Sequence, residues 1–301
     1  MLNARNRSVE IVVRYAFVPL LAVVGGGAII ALAPSSKLGV VVVVVTALAV
    51  SFAAEWLVPF DEAWNRSRDD RMRDAAHAIV NESSTATGVL AMPAVVSFAP
   101  TFMAWPDDVP FLLQVLFAVV VLDIGITVVH WWSHRNDWLW SFHAVHHSVT
   151  RLYGLNGLMK HPVHQAIETS VGMSPLVLLG APGDVATAVA GLVVLQLLLQ
   201  HSNVDYRVGA MRRWVALNEG HRLHHVARTP DGDVNFGLFL LIWDRVLGTF
   251  ADPTGRSVAE LGVAGHPAYP VRYFEQIREP FRRPSRTGSA RSGRPRPLSR
   301  R

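Results

Sequence analysis

Cysteine is absent from all 301 residues. That excludes a disulfide scaffold, thiolate-held iron–sulfur clusters, a cysteine nucleophile and a four-cysteine zinc site. Charge is scarce as well. Asp, Glu, Lys and Arg make up 17% of the chain against 50% hydrophobic residues, and the mean hydropathy is +0.27, a membrane-like balance. Three common catalytic signatures are missing: the Gly-x-Ser-x-Gly elbow, the phosphate loop and His-Glu-x-x-His. Gly25-Gly26-Gly27 lies inside an apolar run instead of following a strand, so it does not read as a dinucleotide loop. The net charge of +5 belongs to the end of the chain, where residues 282–301 carry eight Arg and no acid. That segment is rich in Arg, Pro, Ser and Gly and reads as a disordered tail able to touch anionic head groups. No fold signal supports nucleic-acid binding.

Long apolar runs are what the chain does have. Val12–Ala33 and Leu38–Phe60 each reach the roughly 20 residues needed to cross a bilayer core. A polar stretch, 61–82, reads as a solvent-side or interfacial helix. Two more runs follow at Thr85–Trp105 and Pro110–Trp132, separated by Pro106-Asp107-Asp108. A fifth apolar stretch is split by Ala181-Pro182-Gly183-Asp184 into Ala166–Gly180 and Val185–Gln200, which reads as a re-entrant or short helical hairpin. Arg5, Arg7 and Arg14 precede the first span, Arg66–Arg73 follow the second, and 106–109 carries no positive charge. The positive-inside rule then puts the N-terminus and everything after His130 on the cytoplasmic side.

Thirteen histidines are present, and eight fall in three clusters. His143-Ala144-Val145-His146-His147 and His221-Arg222-Leu223-His224-His225 repeat one pattern, and His130 and His134 lie one turn apart upstream. On a helix, positions three and four apart share a face, so each His–x2–His–His box is expected to converge on one point. Eight imidazoles exceed one four-coordinate site and suit two metal ions. Imidazole suits Fe, Zn, Cu and Ni. The carboxylates of ferritin-like di-iron bundles are missing from the pattern. Two such ions beside a bilayer point to dioxygen activation against a lipid C–H bond.

With His161-Pro162, Gln200-His201-Ser202-Asn203, Asn235-Phe236-Gly237 and Trp243–Phe250, these boxes resemble the fatty acid hydroxylase/sterol desaturase superfamily in order and spacing, over about Asp123 to Phe250. The resemblance implies an all-α integral membrane protein with about four transmembrane helices plus the hairpin, capped by a cytosolic helical di-metal domain. It divides the chain into membrane-anchoring helices (1–110), a catalytic domain (111–275) and the basic tail (276–301). It implies two non-haem iron ions, O2 as co-substrate, a lipid substrate and electrons from a separate reductase. By position, His130, His134, His143, His146, His147, His221, His224 and His225 match metal ligands, with His201 as a ninth. Asp123, two turns before His130, is a candidate to orient that imidazole. His161, Asn203 and Asp205 are further candidates around the site; some relatives carry a histidine at the place of Asp205, and His164 stands where many have an acid. His77 and His266 read as solvated, and Trp131, Trp132, Trp138 and Trp140 as an interfacial belt.

The competing reading is a membrane metal-binding or metal-transport protein without oxygenase activity. Transport calls for ligands near the midplane on broken helices, whereas the apolar runs here are nearly free of histidine.

Overall fold

The computed structural model describes residues 4–100, 105–227, 232–258 and 260–282. Among them the chain is helical, and its only strand-like pairings are isolated bridges such as Pro59–Val204 and Val215–Leu240. Helix α1 (Ala4–Pro19) passes through one π-helical stretch, Leu20–Gly25, into α2 (Gly26–Leu32), making one long rod. The widened turn follows Pro19, which lacks the N–H that an α-turn would use. Ser36 then caps α3 (Lys37–Leu57), its Oγ accepting from Gly39 N at 2.9 Å. Helices α4 (Arg71–Phe98), α5 (Phe111–Ser133), α7 (Pro162–Leu178) and α8 (Gly183–His201) complete the bundle, and α6 (Asp137–His147), α9 (Asn218–His224), α10 (Ile242–Leu247) and α11 (Tyr273–Arg278) cover one end.

The central rod is α8. It is apolar all round and buried along nearly all its length, as such a helix must be. Gly25 and Gly26 let the first rod approach Leu195 and Leu192 of α8. Helices α5 and α7 cross at Gly125 and Gly172, where a Cβ on Gly125 would lie 2.8 Å from Gly172 Cα. This is the small-residue contact on which helices in lipid depend. The pairs α2–α3 and α7–α8 turn at 33–36 and 179–182, and Gly183 meets Pro93 of α4 at that end. All three histidine clusters lie at the opposite end.

Among the described residues four helices are long and apolar enough to cross a membrane: Arg7–Leu32, Lys37–Leu57, Phe111–Ser133 and Gly183–His201. The number agrees with expectation but the membership does not. Residues 85–98 of the expected third run belong instead to α4, a continuous helix from Arg71 whose polar residues Asn81, Glu82, Ser83, Ser84 and Thr85 dilute its hydropathy. Nor is 61–82 an interfacial helix: Arg73, Asp74, His77 and Asn81 are buried. They are held by partners from 153–160, with Tyr153 Oη and Asn156 Nδ2 donating to Asp74 at 2.7 and 3.1 Å. The stretch 166–200 comprises most of α7 and α8, of which α8 is long and apolar enough to cross a membrane. The expected tail begins too early at 276, because Gln276 is buried in α11; residues 283–301 lie outside the described residues.

Single cysteines at Asp107 and Met211, both exposed, are expected to label from opposite sides of the membrane in this cysteine-free chain. Labelling of both from one side contradicts the arrangement of the bundle ends.

Candidate metal centre

Helix ends deliver the histidines. Helix α5 terminates at Ser133, presenting His130 and His134. Asn136 then caps α6, its Oδ1 accepting from Trp138 N and Leu139 N at 3.0 Å, and α6 folds back with His143, His146 and His147 buried. His201 is the last residue of α8. The short α9 carries His221 and His224, followed by His225. Asn218 Nδ2 and the Arg222 guanidinium both donate to the carbonyls of Ser202 and Val204, which ties α9 to the end of α8.

Nine imidazoles form two groups, each with its facing nitrogens within 4.8 Å of one another: His130, His134, His143, His147 and His224, and His146, His201, His221 and His225. Each His–x2–His–His box is therefore split rather than converging on one point. Positions one turn apart, His143 with His147 and His221 with His225, stay together, while His146 and His224 cross to the other group. The groups share a wall of rings, with His147 stacked on His225 at 4.6 Å and His221 on His224 at 5.0 Å.

Protonation decides what this arrangement can hold. His130, His146, His201 and His224 each direct Nδ1 at a backbone carbonyl, of Phe236, Met159, Leu197 and Val234, at 2.8–3.1 Å. A carbonyl only accepts, so Nδ1 carries the hydrogen and a neutral ring keeps its lone pair on Nε2. Those Nε2 atoms nevertheless face one another, at 2.9 Å for His130–His224 and 3.2 Å for His146–His201. Lone pairs at that distance repel unless a cation lies between them. At a metal–imidazole distance of roughly 2.1 Å, ligands at right angles sit about 3.0 Å apart, which matches these spacings. The donor set fits two metal ions.

The surrounding polar groups fix the rings. Asp233 accepts from His134 Nδ1 at 2.9 Å. Asp244, buried, accepts from Phe236 N, Gly237 N and Thr249 Oγ1 at 2.7–2.9 Å, so it shapes the loop whose carbonyl receives His130. Asn235 is held at φ 55°, a left-handed geometry that Asn tolerates, by bonds to Gly220 and Ala251. Asp123 does not touch His130. Its carboxylate accepts from Phe239 N, Leu240 N and Trp243 Nε1 at 2.7–3.1 Å and supports the same loop from α5. Trp140 is more than a belt residue, packing on His134 and His147 at 4.9 and 5.3 Å.

The remaining candidates lie outside both groups. His161 caps α7, its Nδ1 accepting from Val163 N, and its Nε2 meets Ile277 O. Asn203 braces the chain after α3 through Asp61 and Asn65. Asp205 pairs with Arg14 and Arg207, which excludes it from the centre. His164 packs on His143 at 4.4 Å, and its Nε2 meets Ser133 Oγ at 2.8 Å. His266 is exposed as expected. His77 is not solvated: it is fully buried between Lys160 O and Gln276 Oε1, both at 2.9 Å. Sequence spacing carried no signal for Asp233 or His77, because their partners lie 83 or more residues away.

An elongated cavity of about 390 Å3 runs between α4, α5, α7 and α8. Met92, Val95, Met173 and Val189 line its far part, and Glu82, Lys160 and Glu168 its near end. From Ala186 to Leu197 it follows α8 for about 16 Å. Gly157, on its wall, leaves room for the neighbouring ring, since a Cβ there would lie 2.9 Å from His201 Nδ1. Ser84, Gly88, Ala166 and Ser170 line the cavity and are exposed, so it opens sideways between α4 and α7.

The fatty acid hydroxylase family model matches residues 115–249. An ornithine lipid hydroxylase of Rhizobium tropici is 32% identical over 257 residues, 81% of this chain and 76% of that protein. The chain belongs to the fatty acid hydroxylase family. Alkylglycerol monooxygenases of Danio rerio and Homo sapiens are 28% and 27% identical over 52% and 54% of the chain, which spans about a third of their length (34% and 35%). No solved structure matches. Family membership and the four apolar helices make the chain an integral membrane protein, and its relatives by name are lipid-oxidising enzymes.

In this fatty acid hydroxylase, burial first and neighbouring imidazoles next hold His143, His147, His221 and His225 well below the ordinary 6.5. They are neutral at pH 7. Unfolded, they titrate near 6.5; below that pH the unfolded chain binds more protons than the folded one, so stability falls as pH falls. The metal-free protein is expected to lose melting temperature steadily from about pH 6.5 to 5, and an unchanged melting temperature would contradict this burial. Asp233→Ala is expected to weaken one of two bound ions by about 10–100-fold and to spare the other, read by metal titration.

Proposed function

We propose that the chain is an O2-dependent di-iron oxidoreductase that attacks a C–H bond of a membrane lipid, with the metal centre on the cytoplasmic side and electrons from a separate reductase. The observation that carries this reading is the largely apolar cavity that runs from a sideways opening to a wall at Gly157, which lies against the ring of His201. Two iron ions held by His130, His134, His143, His147 and His224 and by His146, His201, His221 and His225 would supply an oxidant derived from O2, strong enough for an unactivated C–H bond. The chain's own contribution is placement. Helices α4, α5, α7 and α8 exclude water from the acyl chain, Gly157 lets the cavity wall come close to His201, and Trp140 and Phe236 shield the first group of rings. The relatives named hydroxylase and monooxygenase favour oxygen insertion over desaturation. The side-by-side ends of α5, α6, α8 and α9 favour catalysis over transport, since the ligands sit at helix ends and not on broken helices at mid-bundle.

Lipid extracts from cells with and without the gene, compared by mass spectrometry, are expected to differ in a species gaining one oxygen or losing two hydrogens. Identical extracts, or full turnover with zinc alone, would reject the proposal. Gly88→Phe adds a group where a Cβ meets nothing within 4 Å, so it should fold while narrowing the opening. We expect kcat/KM for a long-chain lipid to fall about tenfold, roughly 1.4 kcal/mol, with iron content unchanged.

A further inference from the structure

The near end of the cavity holds more carboxyl groups than its own cation can match. Glu82 and Glu168 line it against one ammonium, that of Lys160, which is one of only two lysines in the chain. Lys160 is committed to Glu168, which is buried. Glu82 follows Asn81, whose Nδ2 donates to Leu158 O and Lys160 O at 3.0 Å, and this contact sets that turn of α4 against the lysine segment. Among the described residues no hydrogen bond or ion pair satisfies the Glu82 carboxylate. The other basic groups nearby are committed. His77 uses both ring nitrogens, and Arg73 is bound to Asp74. His164, fully buried, has an unpartnered Nδ1 3.7 Å from Glu168 Oε1, a second unfilled polar position at the same end. A carboxylate left unmatched beside apolar walls is costly, and polar groups so placed mark substrate paths.

We propose that the missing partner is the cationic amine of an amphiphile whose chain lies in the cavity, so that Glu82 selects ammonium-bearing lipids. This rests on the reading of the cavity as the lipid site. A neutral head group would leave Glu82 bare, and an anionic one would meet two carboxylates against one ammonium. The polar head then sits at the metal end and the tail points toward Met92 and Val95.

The full-length protein, purified anaerobically so that no substrate turns over, is titrated with tetradecylamine, tetradecanol and tetradecyl sulfate, and bound amphiphile is read by native mass spectrometry. The amine is expected to bind about tenfold tighter than the alcohol, with the sulfate weakest. Glu82→Gln should erase the amine preference while leaving alcohol binding intact, and Glu82→Asp should keep part of it. Equal binding of amine and alcohol, or a preference that survives Glu82→Gln, overturns the inference. Gly88→Phe should weaken all three; an amine affinity that persists when alcohol binding is lost places the amine outside the cavity and also overturns it. Oxidised lipid in cells without amine preference in vitro defeats this inference alone. Amine preference in a protein whose cells hold no oxidised lipid supports it and defeats the oxygenase reading.

Discussion

Lone pairs aimed at one another are the constraint on which this structure depends. Backbone carbonyls take the Nδ1 hydrogens of His130, His146, His201 and His224, leaving Nε2 atoms that converge at 2.9–3.2 Å. Such an arrangement is stable only around positive charge. The rings themselves supply none: burial keeps those of α6 and α9 neutral, and Asp233 accepts from His134 Nδ1, on the side of that ring away from its facing Nε2. Ring orientation is thereby assigned to the backbone, and the backbone must be rigid. This explains the concentration of buried polar residues at one end of an otherwise apolar bundle. Glu55 accepts from Gly154 N and Asn203 N, and Arg151 grips Asp70 with two bonds of 2.6 and 2.8 Å. Each of these contacts holds a loop beneath the imidazoles.

Legibility in the sequence follows the range of the interaction. Residues three and four apart on one helix are local, so the boxes and their capacity to hold metal could be read directly. The division of each box between two groups could not, because it depends on how α6 faces α9 across the bundle. His201 was recognisable only through family resemblance; by spacing alone it is a lone histidine closing an apolar helix. Asp123 illustrates the opposite error. Its two-turn distance from His130 suggested a direct contact, but the backbone N–H groups of Phe239 and Leu240 outcompete the imidazole for its carboxylate.

Hydropathy misled in the same way at α4. A window over Thr85–Trp105 averages an apolar segment, and a window over 61–82 averages a charged one, so the two were assigned to different environments. In the structure 71–82 and 85–98 belong to one helix, Arg71–Phe98. Its first half is polar because it faces the loops under the metal centre, where Asp74 and Asn81 satisfy buried groups from 153–160. Its second half is apolar because it faces the cavity. The charge of a segment reported its tertiary partners rather than its exposure to water.

That dual character joins the centre to the cavity. Helix α4 braces the metal end through His77 and lines the acyl path through Met92 and Val95. Between the two lies Glu82, at the one turn where the polar and apolar halves meet. Helix α7 repeats the arrangement, with His164 against His143, Glu168 one turn on, and Met173 further down the cavity. Two helices thus present the same order of ring contact, carboxylate and apolar wall, from opposite sides of one space. A chain entering between them would meet small residues at the opening, apolar side chains along its length and charge only beside the reacting centre. On the proposed reading, the order of residues along α4 and α7, and not the metal's own chemistry, would fix which end of a lipid comes to the metal.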